Sequence, residues 1–313
     1  MSELMFPSFP EVVKPKKEES PLKNPDNMMK LFLRLQNVYS KRPDTSKFTG
    51  ALADTKFADE YSAEEIAKDN LYVIDTRNKI EEHNRAKGQE AFDRFQENFA
   101  FAEAGQAMIV DRLNIWMPGS TTNMTADCDD LRIGVDFLTT NKNSGHFGTA
   151  FDVTLSSKKN FINEKITKNW DNNIVKGSLP VVKYFEDPET GQKGRLLTPK
   201  FIIGASADDI NDMANAYLTG DEKSLDNHPF RKLFFEQIRV QYNDALDFYE
   251  SDENKNDARF SLARREYTRV KTMIDEAEKK LDESGDIDRL SYHEYSKESL
   301  TLQLINEFAD KKK

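Results

Sequence analysis

Hydrophobic positions first fall into a pattern at residue 28, where Met28, Leu31, Phe32, Leu35 and Val38 recur in steps of three and four behind Asn27. Asn27 suits a helix N-cap, and the run closes near Arg42 and Pro43, so a short amphipathic helix is expected. Residues 43–60 predict a loop. Ser62 with Glu65 three residues later makes a capping box for a second helix that runs to Lys87 and stops at Gly88. From Gln89 to Trp116, the positions Phe92, Phe95, Phe99, Ala102, Gln106, Ile109, Leu113 and Trp116 again alternate steps of three and four. That spacing predicts a long helix with one buried stripe, closed by Pro118 and Gly119.

After a loop over 118–130 the period changes to two. Leu131–Thr139 and Phe147–Leu155 are rich in Ile, Val, Phe and Thr and are joined by Asn141, Asn143, Ser144 and Gly145, which predicts a β-hairpin. A helix through Phe161, Ile162, Ile166, Trp170 and Ile174 follows, ending at Gly177. Leu179–Phe185 and Leu196–Ala205 read as strands around a turn at 187–191. Helices then run from Asp208 to Leu218, from Phe230 to Tyr249, over Asp257–Leu281 and over Lys297–Phe308, the charge-rich ones suited to a hairpin that packs on one side. The expected fold class is α/β (α+β), a small mixed sheet flanked by helices, with helical N- and C-terminal extensions. The chain divides into an arm at 1–26, a helical segment at 27–88, an α/β core at 89–220 and a C-terminal helical region at 221–313.

Composition changes this picture in three places. Residues 1–26 hold five prolines among lysines and glutamates, a mixture that buries too little to offset ordering entropy, so a disordered arm is expected. A net charge of −10 opposes nucleic acid unless bases are gathered locally. They are gathered in the helix after the hairpin, where Lys158, Lys159, Lys165, Lys168 and Lys176 meet only Glu164 and Asp171, a patch suited to a phosphodiester backbone or, more plainly, a solvated helix face. The single cysteine, Cys128, excludes an internal disulfide and a cysteine-built zinc site. No segment resembles a signal peptide or reaches the roughly 20 apolar residues of a membrane span, so a cytoplasmic protein without a membrane partner is expected.

Chemistry is signalled by acids inside β-type sequence. Strand alternation places Asp136 with Leu138 on one face of the first strand, and Asp152 and Thr154 together on one face of the second. Carboxylates gathered there repel unless a proton or cation separates them; an exposed face carrying ordinary surface acids is the competing reading. Glu103 borders the stripe of the long helix, where it serves either an ion pair, with Arg112 as one candidate, or a site. P-loop, GxGxxG and nucleophile-elbow motifs are missing, and His83, His146, His228 and His293 show no metal spacing.

The order of a helix with Glu103, strands with Asp136 and Asp152, a basic helix and a further strand resembles the PD-(D/E)XK nuclease-like fold, the restriction-endonuclease-like core, over about residues 90–205. In that family a strand Asp and an acid-x-Lys on the next strand bind magnesium and orient the attacking water. The resemblance implies Asp136 as first metal ligand, with Asp130 as alternative, Asp152 as second ligand, Glu103 as the helix acid, and magnesium or manganese as cofactor. The chain departs from the pattern at Thr154, which stands where the lysine belongs; Lys159 and Lys165 of the next helix are the candidates to replace it. The implied activity is metal-dependent phosphodiester hydrolysis, with nucleic acid held by Lys158, Lys159, Lys165 and Lys168. The alternative is a noncatalytic interaction protein, its core a relic, whose N-terminal arm and C-terminal helices bind protein partners.

Overall fold

The computed structural model describes residues 20–43, 52, 56–141, 148–187, 191–284, 292, 295–297 and 299–312. The arm up to residue 19, the hairpin turn at 142–147, most of the loop at 44–55 and the turn at 188–190 lie outside these residues. The fold is mixed α/β: a four-stranded sheet and a separate two-stranded sheet, flanked by helices.

The end of the predicted arm is built into the body. Leu22 is buried, and Asn24, not Asn27, caps α1 (Pro25–Arg34) by accepting from the Asp26 amide at 2.9 Å, because Pro25 supplies the preset φ of a first helical residue. After α2 (Gln36–Ser40) comes α3 (Ala63–Arg85), capped by Ser62 as its sequence predicts. The long helix α4 (Gln89–Trp116) is also present, but its stripe is buried only from Ala104 onward. No residue from 74 to 103 is buried. The tip of the α3–α4 hairpin therefore lies outside the core, and Phe92, Phe95 and Phe99 stack on one another along α4 instead of into the interior.

The predicted loop at 118–130 holds two elements. β1 (Ser120–Met124) and α5 (Asp127–Ile133) precede β2 (Phe137–Asn141), so Leu131–Ile133 are helical and the first hairpin strand begins six residues later than its composition suggests. β3 (Gly148–Thr154) follows, then α6 (Lys159–Asn169), which continues into a π-turn at Trp170–Ile174. β4 (Val181–Glu186) and β5 (Lys193–Leu197) pair as the small sheet. Thr198 and Pro199 divide the last predicted strand, leaving β6 (Lys200–Gly204) to join the main sheet. α7 (Ala207–Thr219), α8 (Glu222–Asp226), α9 (Phe230–Glu250), α10 (Ser261–Ser284) and α11 (Leu300–Asp310) complete the chain.

Strand order in the main sheet is β1-β2-β3-β6, with β1, β2 and β3 antiparallel and β6 parallel to β3. Phe137, Phe151, Val153, Phe201 and Ile203 share the core that α4, α9 and α10 cover. Phe137, Phe151, Phe201 and Tyr267 form a ring ladder with centroids 5.1, 6.2 and 5.7 Å apart, each pair contributing about 1 kcal/mol beyond its buried area. On the opposite face Leu138 and Ala150 pack beneath β4 and β5, while Ile202 packs beneath α6 and α11. Asp152 alternates onto that second face, where the small sheet gives way to α6.

Both edges of the main sheet are closed by side-chain amides. Asn114 of α4 accepts from the Thr122 amide at 2.8 Å and donates to the Thr122 carbonyl at 3.1 Å on β1. Gln237 and Gln241 of α9 do the same for Gly204 and Ile202 on β6, at 2.7 to 3.1 Å.

Candidate functional site

Gly134 ends α5 in the left-handed region, φ 61°, with its amide donating to the Asp130 carbonyl at 2.8 Å. The turn delivers Asp136 to the start of β2. Its main chain is fixed on both sides, the amide donating to Phe151 O at 2.8 Å and the carbonyl accepting from Thr125 at 3.0 Å. Asp136 immediately precedes the first pair of β2 and β3, Phe137 with Phe151, and lies against Phe151–Val153 of β3, close enough to Asp152 for the two acids to repel. Both are buried, which removes the reading of an exposed acidic face.

The carboxylates carry distinct partners. Asp136 Oδ2 accepts from the Val153 amide at 2.5 Å. Asp152 Oδ1 accepts from Lys165 Nζ at 2.5 Å and its Oδ2 from Lys200 Nζ at 3.3 Å. Lys165 also stands 5.3 Å from the ring of Phe161, one turn back on α6 and partly exposed. Asp130 and Asp136 are neighbours that repel when both are ionised, which favours a proton on one of them. Burial, reinforced by its neighbours Asp130 and Asp152, holds the Asp136 carboxyl well above the usual carboxylate range. Burial also pushes Asp130 up to about 6, with Asp127 and Asp152 adding to it and Arg42 opposing. For Lys165 burial favours the neutral amine, but contact with Asp152 outweighs it and raises the ammonium's pKa.

Three carboxylates thus face two ammonium groups, and a proton makes up the difference. Hard carboxylate oxygens with a surplus of negative charge are the donor set that suits magnesium or manganese. Among the described residues, however, no group of three or more His, Cys, Asp or Glu side chains is placed to hold a metal ion. Glu103 stands apart, paired with Arg42 at 3.6 Å; Arg42 and Arg77 both contact Asp127, one turn before Asp130 on α5. Arg112 instead pairs with Asp111, Glu222 and Asp226.

Of the two candidate replacement lysines, Lys165 reaches Asp152 and Lys159 does not: it pairs with Glu307 of α11 at 3.2 Å on the surface. Three of the five patch lysines are paired, Lys168 with Glu164 at 2.6 Å among them, while Lys158 and Lys176 are exposed and make no ion pair among the described residues. Sequence reading missed Lys200, whose Nζ reaches Asp152 Oδ2 at 3.3 Å, as a site residue. It also missed Asp69 of α3, a buried acid bound by Lys183 Nζ at 2.7 Å, Tyr184 OH at 2.6 Å and Arg132 at 2.6 Å. Beside Asp69, burial pushes the Cys128 thiol up to about 12, leaving it inert. No helix among the described residues is long and apolar enough to cross a membrane.

No protein-family model matches the chain, and comparison with curated proteins and with solved structures finds no match either.

Proposed function

We propose that the chain is a nuclease-like hydrolase of the PD-(D/E)XK type, cleaving phosphodiesters of DNA or RNA at the Asp136, Asp152 and Lys165 cluster. The observation that carries this reading is the 2.5 Å contact from Lys165 Nζ to Asp152 Oδ1. It supplies, from the helix after β3, the ammonium that Thr154 does not supply two residues after the acid. The element order adds support: a long helix, an antiparallel meander, a helix and a parallel strand.

Asp136 and Asp152 are the residues to hold a divalent cation, since magnesium is commonly bound through one or two carboxylates together with water and substrate phosphate. Bound there, the ion supplies a Lewis acid for the phosphoryl group and a more acidic water. Lys165 has three donors, of which Asp152 takes one, leaving two for a water or a phosphate oxygen. Its partial exposure, with Phe161 beside it, opens this side of the cluster to substrate. Asp130 adds charge above about pH 6, strengthening the site for a cation.

A second reading, a noncatalytic interaction protein, is favoured by the two lysines that occupy both Asp152 oxygens and by the missing third ligand. In that case the cluster is a buried structural network, and the C-terminal helices carry a protein partner. The experiment is incubation of single- and double-stranded DNA and RNA with the protein in magnesium or manganese, beside Asp152→Asn. Metal-dependent cleavage that falls by about 100-fold or more in the variant is expected. No cleavage, or equal cleavage by both proteins, overturns the nuclease reading in favour of the second.

A further inference from the structure

Two lysines contact Asp152, and their surroundings differ. Lys165 is on a helix, about a quarter exposed, and holds the carboxylate by one oxygen. Lys200 is 11% exposed and starts β6, whose pairing places it beside Ala150 of β3. Its ammonium meets three acceptors: Ile133 O at 2.9 Å, Gly134 O at 3.3 Å and Asp152 Oδ2 at 3.3 Å. An ammonium has three donors, so all of them are committed. Asn169 fixes the same residue from behind by donating to the Lys200 carbonyl at 2.9 Å.

The three acceptors come from two parts of the site. Ile133 and Gly134 close α5 and start the turn that delivers Asp136; Asp152 is the neighbouring acid. Gly134 makes the close approach possible. A Cβ there meets Asp152 Oδ2 at 3.0 Å and Lys200 Nζ at 3.5 Å, on a backbone already at φ 61°. The peptide carbonyls, the lysine and the carboxylate thus form one clasp that sets the separation of the two acids.

We propose that Lys200 is a positioning residue for the carboxylate site, clasping the α5 turn to Asp152, while Lys165, held by one carboxylate oxygen, does not position the turn. This rests on the hydrolase reading for its purpose, but the clasp itself is tested independently. Loss of either positive charge should, by electrostatics alone, strengthen binding of a cation. Positioning cancels that gain at Lys200, because a displaced carboxylate is a poorer ligand.

The measurement is Mn2+ affinity by calorimetry at pH 7.5 for the wild-type chain, Lys165→Met and Lys200→Met. Lys165→Met is expected to bind about 30-fold tighter, the effect of removing one unit charge about 4 Å from a doubly charged ion even at the dielectric of water. Lys200→Met is expected to show none of this gain, because losing a residue that orients a ligand commonly costs about 10–100-fold. Tighter binding by both variants overturns the proposal. Should Lys200→Met fail to fold, Lys200→Gln, which keeps two donors without the charge, is held to the same expectation. If the wild-type chain binds no Mn2+, the metal reading fails and the clasp is judged by amide exchange. Protection of the Gly134 and Asp136 amides then falls about tenfold in the Lys200 variant and stays unchanged in Lys165→Met; equal protection in both overturns the clasp.

Discussion

Asp69 and Asp136 are both buried carboxylates with opposite surroundings. Asp69 is met by an ammonium, a guanidinium and a phenol, and although burial pushes its pKa up, the hydrogen bonds from Lys183 and Tyr184 outweigh it and the carboxyl sits below its ordinary range. Asp136 has one backbone amide and lies between two further acids, so burial and repulsion act together and its pKa rises. The first arrangement fixes α3 against α5 and β4 and is complete as it stands. The second is short of positive charge, and a proton or a ligand completes it. Burial of an acid is therefore uninformative until its partners are counted.

The largest expected effect comes from making the same substitution at both. Asp69→Asn leaves Lys183 and Arg132 without their carboxylate and is expected to cost about 3 kcal/mol of stability in urea denaturation. Asp136→Asn mimics the protonated acid, keeping an acceptor for Val153 and removing the repulsion of Asp130, and is expected to change stability by less than about 1 kcal/mol. Equal losses erase the distinction.

A smaller effect lies in the pH dependence. Asp130 is raised from 3.8 to about 6, so the folded state holds its proton where the unfolded chain has released it. The contribution of this group to stability is full below about pH 4 and falls as pH rises toward 6. Asp130→Asn should flatten that part of the stability profile; an unchanged slope assigns it to other groups. Smallest is Gly134→Ala, expected to cost about 1–2 kcal/mol from the left-handed backbone alone and to disturb Asp152 as well. A stable Ala variant with an unshifted Asp152 carboxyl resonance shows that the turn has room to spare.

The site was partly legible in the sequence. Period-two alternation placed Asp136 and Asp152 on matching faces, and helical spacing allowed Lys165 to reach back to β3. Three features were not legible. Ser120–Met124 carries no apolar alternation; it is a strand because β2 pairs with it and Asn114 closes its outer edge. Asp127–Asp130 looks like loop through its three acids and Leu131–Ile133 like strand, yet the acids favour the first turn of a helix, and Gly134 supplies the stop. Lys200 acts on carbonyls 66 and 67 residues away, a contact that no local pattern encodes. Glu103 shows the opposite failure, an acid at a helix edge whose partner Arg42 lay in another segment.

The amide side chains along the outer strands have a consequence for how the molecule meets other chains. At Thr122, Ile202 and Gly204 the peptide groups that an intruding strand needs are already taken, so the sheet offers no template for strand addition there. That same closure resists slippage. Since the face that Asp152 presents is a matter of register, and a slip of one residue sends a side chain to the other face, the amides that hold Ile202, its partner on β6, and Gly204 help keep Asp152 turned toward Asp136.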